Sequence, residues 1–347
     1  MSFTSDTPIF NSNGRDDINP LWGGNPTGLI KLTGVNRRNW ARSLYERMNE
    51  NFWIPHKVNL LRDVQSYPAM TSPERRAYEG MLSYLTFLDS IQTVNIPKFS
   101  ASMTSPEVRQ LLAAHTFQEA IHNDSYRYII ESLIPTEDHS RVYDFWRTDL
   151  VLKERCEFIA GLYQGYLDQK TNRSYLQALI ANYLLESLYF YGGFTFFGVL
   201  ALRQVMPGTG DMFSLIRRDE QIHCTVFGKI LKEAFQYFSD EYSSDMVYDM
   251  FDDAVRQEGV WAEHIIGDGI VGIHARDLSL YTQYWANSRL KEIGLEPQYD
   301  VKENPFSHID RFYDQTLGGS AANFFESTVT SYVTTIPGLE EIRTCEA

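Results

Sequence analysis

Two short segments decide the fold of this chain, Glu119-Ala-Ile-His122 and Glu220-Gln-Ile-His223. Of the eight histidines, only His122 and His223 follow a glutamate by three residues. Each segment lies in a run whose apolar residues recur at three- and four-residue spacing, which predicts an amphipathic helix. Residues three apart share one face of a helix, so each segment directs a carboxylate and an imidazole towards the same point. The pattern predicts two helices that face a common metal site.

Two single acids complete the predicted site. Asp89 and Glu186 lie alone in very apolar helical segments, where a bound cation is one of the few partners that offsets the cost of burying a carboxylate. Two Glu-x-x-His segments with one acid from each of two further helices form the ligand pattern of ferritin-like dinuclear proteins. One such segment alone is more often a solvated helix face. The four features together favour a dinuclear site, and carboxylate with imidazole ligands suits iron or manganese.

The remaining sequence predicts an all-α, ferritin-like helical bundle. Helical runs extend from Arg37 to Phe52 and continue to Ile293, and no segment has the alternating pattern of a strand of convincing length. The expected organisation is an N-terminal extension over residues 1–30, one helical domain over 31–298, and a C-terminal segment over 299–347. From about Tyr299 the periodicity is weak, which favours a loosely ordered, flexible tail.

Composition narrows the classes of function. The chain has 347 residues, 45 acidic against 31 Lys and Arg residues, and a formal charge of −14, which disfavours a nucleic-acid-binding protein. The most apolar stretch, around Phe194 to Leu200, falls short of the roughly 20 residues that span a bilayer, and the N-terminus lacks the pattern of a secretory signal. Three widely spaced cysteines suit a reducing compartment. We therefore expect a cytoplasmic protein that binds neither nucleic acid nor membrane.

Tyr126 is a further candidate for chemistry at the metals. It follows Glu119 by seven residues and His122 by four, so all three share one helix face. A phenol at that position could be oxidised by the metal site. The alternative is ordinary core packing, which is the usual role of a tyrosine.

The chain resembles the small, radical-generating subunit of class I ribonucleotide reductase over nearly its whole length. The similar segments are Asn51-Phe-Trp-Ile-Pro55, Leu88-Asp-Ser-Ile-Gln92, Phe117-Gln-Glu-Ala-Ile-His-Asn-Asp-Ser-Tyr126, Leu185-Glu-Ser187, Ile216-Arg-Arg-Asp-Glu-Gln-Ile-His223 and Thr330-Ser-Tyr-Val333.

The resemblance implies a role for each candidate residue. One metal is implied at Asp89, Glu119 and His122, and the other at Glu186, Glu220 and His223, with bridging carboxylates between them. Tyr126 is implied as the radical-bearing tyrosine. An apolar pocket that shields the radical is implied at three residues, namely Phe190, Phe194 and Ile216.

The resemblance also implies partners. The radical passes to a separate large catalytic subunit through Trp53, Asp219, His122 and Tyr332, and the C-terminal tail docks on that subunit. A homodimer is expected. Two features depart from the usual pattern. The tail ends with only Leu339 and Ile342 as nearby apolar anchors, and the segment around Phe190-Tyr-Gly-Gly-Phe194 resembles the manganese-using branch, which a flavodoxin-like protein helps to activate.

Two other functions fit the same scaffold. A dimetal oxidase or oxygenase would need a substrate cavity at the metals, and it has no use for a relay tyrosine in the tail. A ferritin-like storage protein is typically shorter and forms a hollow shell. The chain has no GxGxxG or GxxxxGK motif, in agreement with a nucleotide that binds on the large subunit.

Overall fold

The computed structural model describes residues 7–16, 20–30 and 38–316, and throughout these ranges the regular structure is helical. Among the described residues, β pairing is limited to a single bridge between Ile270 and Ile273. The all-α prediction is confirmed. The α-helices are α1 (Asn39–Glu50), α2 (Leu61–Ser66), α3 (Ser72–Ala101), α4 (Pro106–Leu133), α5 (His139–Thr148), α6 (Leu150–Gln169), α7 (Asn172–Leu184), α8 (Phe190–Leu202), α9 (Pro207–Tyr237), α10 (Ser244–Ile265) and α11 (Ala275–Glu292).

The two long helices α3 and α4 pack together more extensively than any other pair in the described part of the chain. A capping box starts α3, in which the Thr71 hydroxyl accepts from the Glu74 amide and the Glu74 carboxylate accepts from the Thr71 amide. Thr71 is thus the N-cap, one residue before the predicted Ser72. The helix extends nine residues past the predicted end at Gln92, because its last turns are also buried.

The predicted helix from His139 to Leu167 is divided at Asp149. The Asp149 carboxylate accepts a hydrogen bond of 3.1 Å from the Leu152 amide, so this residue caps the start of α6 and ends α5. The resulting change of direction lets α5 pack on α3 while α6 packs on α7.

The most apolar helical run lies in the centre of the bundle. It extends over Asn172–Leu202 and is long and apolar enough to cross a membrane, but its apolar window is completely buried in the protein. Helices α7 and α8 are joined without a break by one π-helical turn, Leu185–Tyr189. Such turns are rare and are frequent at functional sites. This one carries Glu186.

A buried ion pair lies beside the π turn. Arg155 bonds Glu258, donates 3.2 Å to the carbonyl oxygen of Tyr189, and places its guanidinium 3.7 Å from the ring centre of Tyr84. Burial raises the pKa of Glu258 to about 7, and the neighbouring Arg155 opposes that rise. Because Arg155 also donates to the carbonyl oxygen of Tyr189, the pair holds this end of the π turn in place. Removing either member of the pair would leave an uncompensated buried charge.

The segment after Tyr299 differs from the expectation of loose order as far as the described residues extend. Residues 307–316 are helical, and Phe306, Ile309 and Tyr313 are buried against the bundle. The Tyr313 hydroxyl donates 2.6 Å to the carbonyl oxygen of Phe194. The apolar spacing over these three residues is too short to identify a helix from sequence.

Candidate metal centre

Six candidate ligands converge inside the bundle. Asp89 comes from α3, a Glu-x-x-His pair from each of α4 and α9, and Glu186 from the π turn. All six side chains are completely buried, namely Asp89, Glu119, His122, Glu186, Glu220 and His223. The two Glu-x-x-His segments face each other, as their shared spacing predicts.

Two glutamates lie between the two histidines. The Nδ1 atom of His122 is 2.9 Å from Oε1 of Glu220 and 3.9 Å from Oε2 of Glu119. The Nδ1 atom of His223 is 3.1 Å from Oε2 of Glu220 and 3.0 Å from Oε1 of Glu119. Each glutamate therefore offers one oxygen to each histidine, an arrangement that would suit a carboxylate shared by two metal ions.

The outer two acids each lie nearer to one histidine. Oδ2 of Asp89 is 4.0 Å from Nδ1 of His122, and Oε2 of Glu186 is 3.7 Å from Nδ1 of His223. The six side chains thus form two groups of potential ligands, and Glu119 and Glu220 lie between them.

The far nitrogen of each imidazole has its own acceptor. Nε2 of His122 is 3.4 Å from Oδ2 of Asp219, and Nε2 of His223 is 2.9 Å from Oε1 of Gln118. With a cation bound at each Nδ1, these acceptors would hold the ring proton on Nε2. Gln118 was not among the predicted residues, because its role depends on a contact between α4 and α9.

The donor set fits a pair of hard cations. Hydrogen bonds of good geometry are lacking for a set of buried atoms that face the cluster, even where two of them lie 2.9 Å apart, as Nδ1 of His122 and Oε1 of Glu220 do. The set is both oxygens of Asp89, Oε2 of Glu119, Oε2 of Glu186, Oε1 of Glu220 and Nδ1 of His122. Burial, and then the charge of Glu119, raises the pKa of Asp89 and of Glu220 well above the ordinary range. Bound cations would satisfy these atoms, and the mixture of carboxylates with imidazoles suits iron or manganese.

Tyr126 lies beside this cluster and is completely buried. Burial, and then the charge of Asp89, raises the pKa of its phenol well above the ordinary value. The ring stacks on Phe213 with centroids 5.9 Å apart, and Phe213 in turn packs on Phe194 at 6.0 Å. The phenol is therefore protonated and shielded from water.

The predicted apolar residues Phe190, Phe194 and Ile216 are all buried, and Phe190 stacks on Phe194 at 5.8 Å. Among these aromatic rings it is Phe213 that contacts Tyr126, and no role was predicted for it from the sequence. Its signal was available, since Phe213 precedes Glu220 by seven residues and therefore shares its helix face.

The structure brings three of the four predicted relay residues together. Trp53 Nε1 donates 2.8 Å to Oδ2 of Asp219, the same oxygen that faces Nε2 of His122. The indole and imidazole rings are stacked with centroids 6.3 Å apart. Asp219 is completely buried, although its charged neighbours in sequence are typical of a surface acid. Tyr332 lies outside the described residues.

A third histidine, His115, was also missed. Its ring is completely buried, and its Nε2 atom faces Glu119 and Glu186. Because it precedes Glu119 by four residues, it lies on the same face of α4 as the ligands.

Comparison with known proteins gives matches over most of the chain. Residues 36–305 match the family model described as ribonucleotide reductase, small chain. The chain is 35% identical over 328 residues to the ribonucleoside-diphosphate reductase subunit beta of Halalkalibacterium halodurans, covering 93% of this chain and 94% of that one. It is 33% identical over 332 residues to the corresponding subunit of Treponema pallidum, covering 93% and 94%.

A solved structure is similar throughout. The ribonucleotide reductase R2 subunit from Clostridium botulinum superposes with a TM-score of 0.86 at 35% identity, covering 90% of this chain and 99% of that one.

Proposed function

Because the chain belongs to the ribonucleotide reductase small-chain family, we propose that its buried carboxylate and histidine cluster holds two ions of iron or manganese. The chain is the radical-generating small subunit of a class I ribonucleoside-diphosphate reductase. The proposed ligands are Asp89, Glu119, His122, Glu186, Glu220 and His223. The observation that carries the proposal is that buried oxygen and nitrogen atoms from all four supporting elements face one another without hydrogen bonds of good geometry.

When bound, the reduced metal pair supplies, with oxygen or a reduced oxygen species, the oxidising power that removes one electron from a tyrosine. Tyr126 is the proposed donor. The raised pKa keeps the phenol protonated, so its oxidation to a neutral radical releases one proton as well as one electron. The Asp89 carboxylate beside the phenol is the proposed first acceptor of that proton. The wall formed by Phe213 and Phe194 keeps water from the oxidised ring.

The oxidising equivalent is proposed to leave the site through Trp53, Asp219 and His122. Oδ2 of Asp219 accepts from the indole N–H of Trp53 and faces Nε2 of His122. This carboxylate therefore links Trp53 with a proposed metal ligand. It can also hold the indole proton when Trp53 is oxidised. The next proposed step is Tyr332 in the C-terminal tail.

Small subunits of this family act with a large catalytic subunit and are typically dimers. We propose a homodimer whose tail, within residues 299–347, docks on the large subunit. The segment around Phe190 to Phe194 supports activation by a flavodoxin-like protein. The cytoplasm is the proposed location, because two described cysteines, Cys156 and Cys224, are free thiols.

The metal proposal is tested by replacing Glu220 with Ala and measuring bound metal by elemental analysis after anaerobic loading with Fe(II) or Mn(II). Glu220 offers an oxygen to each histidine, so the variant should bind about one ion or fewer per chain, against two in the parent. The apo protein should be no less stable, since one buried carboxylate without a cation has been removed.

Exposed Glu263 on α10 provides the matched control, and Glu263→Ala should bind two ions. Two ions in Glu220→Ala, with unchanged spectra, would remove this residue from the ligand set. Electron paramagnetic resonance of the air-exposed Fe and Mn forms, with and without an activating flavodoxin-like protein, reports which metal supports a radical.

The tail proposal is tested by ending the chain at Thr330. The truncated protein should keep its metals and the Tyr126 radical but should lose nearly all turnover with the large subunit, because both the docking segment and Tyr332 are absent. Tyr332→Phe in the full chain separates relay from docking, since it should still bind the large subunit. Normal deoxynucleotide formation by the truncated protein contradicts both roles.

A further inference from the structure

His115 lies inside the metal centre without belonging to the six proposed ligands. Its Nε2 atom is 2.9 Å from Oε1 of Glu119 and 3.2 Å from Oε1 of Glu186. Its ring stacks face to face on His223, with centroids 3.6 Å apart and an angle of 23° between the planes. Because it is completely buried, any function it has is exerted on these neighbours.

The stacking decides between a ligand and a positioning role. An imidazole nitrogen binds a metal along its lone pair, in the ring plane, at a distance of about 2 Å. Since the rings of His115 and His223 lie one above the other, an ion in the plane of His223 is well outside the plane of His115. The two imidazoles in these positions cannot direct their lone pairs at one ion, so His115 acts as a hydrogen-bond donor.

The proton of His115 is placed on Nε2 by its surroundings. Nε2 faces two carboxylate oxygens, whereas Nδ1 is buried without a hydrogen-bond partner. A proton on Nδ1 would be a buried, unpaired donor, which is costly. His115 therefore shares one N–H between Glu119 and Glu186, which come from α4 and from the π turn.

The hydrogen-bond donors around the Glu186 carboxylate are directed at one of its oxygens, Oε1. Oε1 of Glu186 accepts from Gln92 Nε2 and, at 3.2 Å, from Asn182 Nδ2, in addition to facing His115. The Tyr163 hydroxyl lies 2.9 Å from Oε1 of Gln92 and 3.1 Å from Oδ1 of Asn182, which orients both amides. Oε2 of Glu186 has no hydrogen-bond partner. The network thus occupies Oε1 and leaves Oε2 for a cation.

We propose that His115 is a positioning residue, which ties Glu186 to Glu119 and thereby presents Oε2 of Glu186 to the metal bound with His223. The two amides reach Glu186 from α3 and α7, whereas the N–H of His115 is shared with Glu119, a second proposed ligand. His115 belongs to the group of potential ligands around Glu186 and His223 and not to the group around His122. Its loss should therefore weaken one metal more than the other. This inference rests on the proposed two-metal site.

The test compares the full-length parent with His115→Phe and His115→Gln in anaerobic Mn(II) titrations, followed by electron paramagnetic resonance of free and bound ions. Phe keeps an aromatic ring on His223 and removes the donor, whereas Gln retains a donor four residues from Glu119. In His115→Phe the first ion should bind as in the parent, and the second about 10- to 100-fold more weakly. His115→Gln should recover most of this loss.

Each outcome separates the two proposals. If the parent binds fewer than two ions, the two-metal site is wrong. If the parent binds two and His115→Phe also binds both with the parent's affinity, only the role of His115 is wrong. Equal weakening of both ions in both variants also overturns it, because that is the result of general damage to the core.

Circular dichroism of the apo proteins checks folding. His115→Leu replaces the Phe variant if that one does not fold, and the same outcomes then apply to it.

Discussion

Tyr126→Phe should retain both metal ions and lose the tyrosyl radical, with reductase activity reduced by roughly a thousand-fold or more, equivalent to about 4 kcal/mol of activation free energy. The ring remains in its pocket against Phe213, so the site keeps its shape. The phenol oxygen faces the Asp89 carboxylate without a hydrogen bond of good geometry, and the free energy of unfolding of the apo protein should therefore change by less than about 1 kcal/mol. Metal analysis, radical quantification and turnover with the large subunit measure the three quantities.

Tyr128→Phe on the same helix is the matched control, because its hydroxyl donates to the carbonyl oxygen of Val58 and it is not on the face of the metal ligands. It should keep both radical and activity. Full turnover in Tyr126→Phe would mean that the oxidising equivalent is stored on the metals and not on this tyrosine.

Trp53→Phe should retain both the metals and the Tyr126 radical and should lose only turnover with the large subunit. Phe preserves the apolar contact with His122 but cannot be oxidised at the potential of an indole, and it removes the 2.8 Å bond to Asp219. We expect a loss of turnover on the order of a hundred-fold or more, about 3 kcal/mol. Loss of a hydrogen bond to a charged acceptor should lower the free energy of unfolding by about 1.5–3 kcal/mol.

Trp146→Phe is a suitable comparison, since this indole stacks on Phe87, a partly buried position on α3, and is not one of the proposed relay residues. Turnover should be retained in that variant. A Trp53→Phe protein that turns over at the parent's rate, with normal radical content, would exclude the indole from the relay.

Sequence spacing was sufficient where chemistry is repeated along one helix. Glu119 with His122 and Glu220 with His223 are each placed by the geometry of a single turn, and an acid within an apolar run, such as Asp89, is conspicuous because its burial needs a partner. These residues and the all-α architecture could therefore be predicted without knowledge of how the helices pack.

Residues defined by contacts between helices could not be predicted in the same way. Gln118 becomes relevant only because α9 brings His223 to it, and the role of Asp219 depends on the packing that brings Trp53 to its carboxylate. His115 carried a usable signal in its spacing from Glu119, but a buried histidine is equally compatible with ordinary packing. The helix over 307–316 depends on its contacts with the bundle, which its short apolar pattern does not specify.

The π turn changes the direction in which side chains point around the axis of the central helix. Side chains four residues apart drift by about 40° around an α-helix at each step, so a row of them gradually turns away from any fixed point. The additional residue in the π turn offsets that drift. Asn182, Glu186, Phe190 and Phe194 thereby remain close to one face of the helix. One continuous helix thus presents in order an amide that orients a carboxylate, the carboxylate itself, and two rings that we propose line the radical pocket.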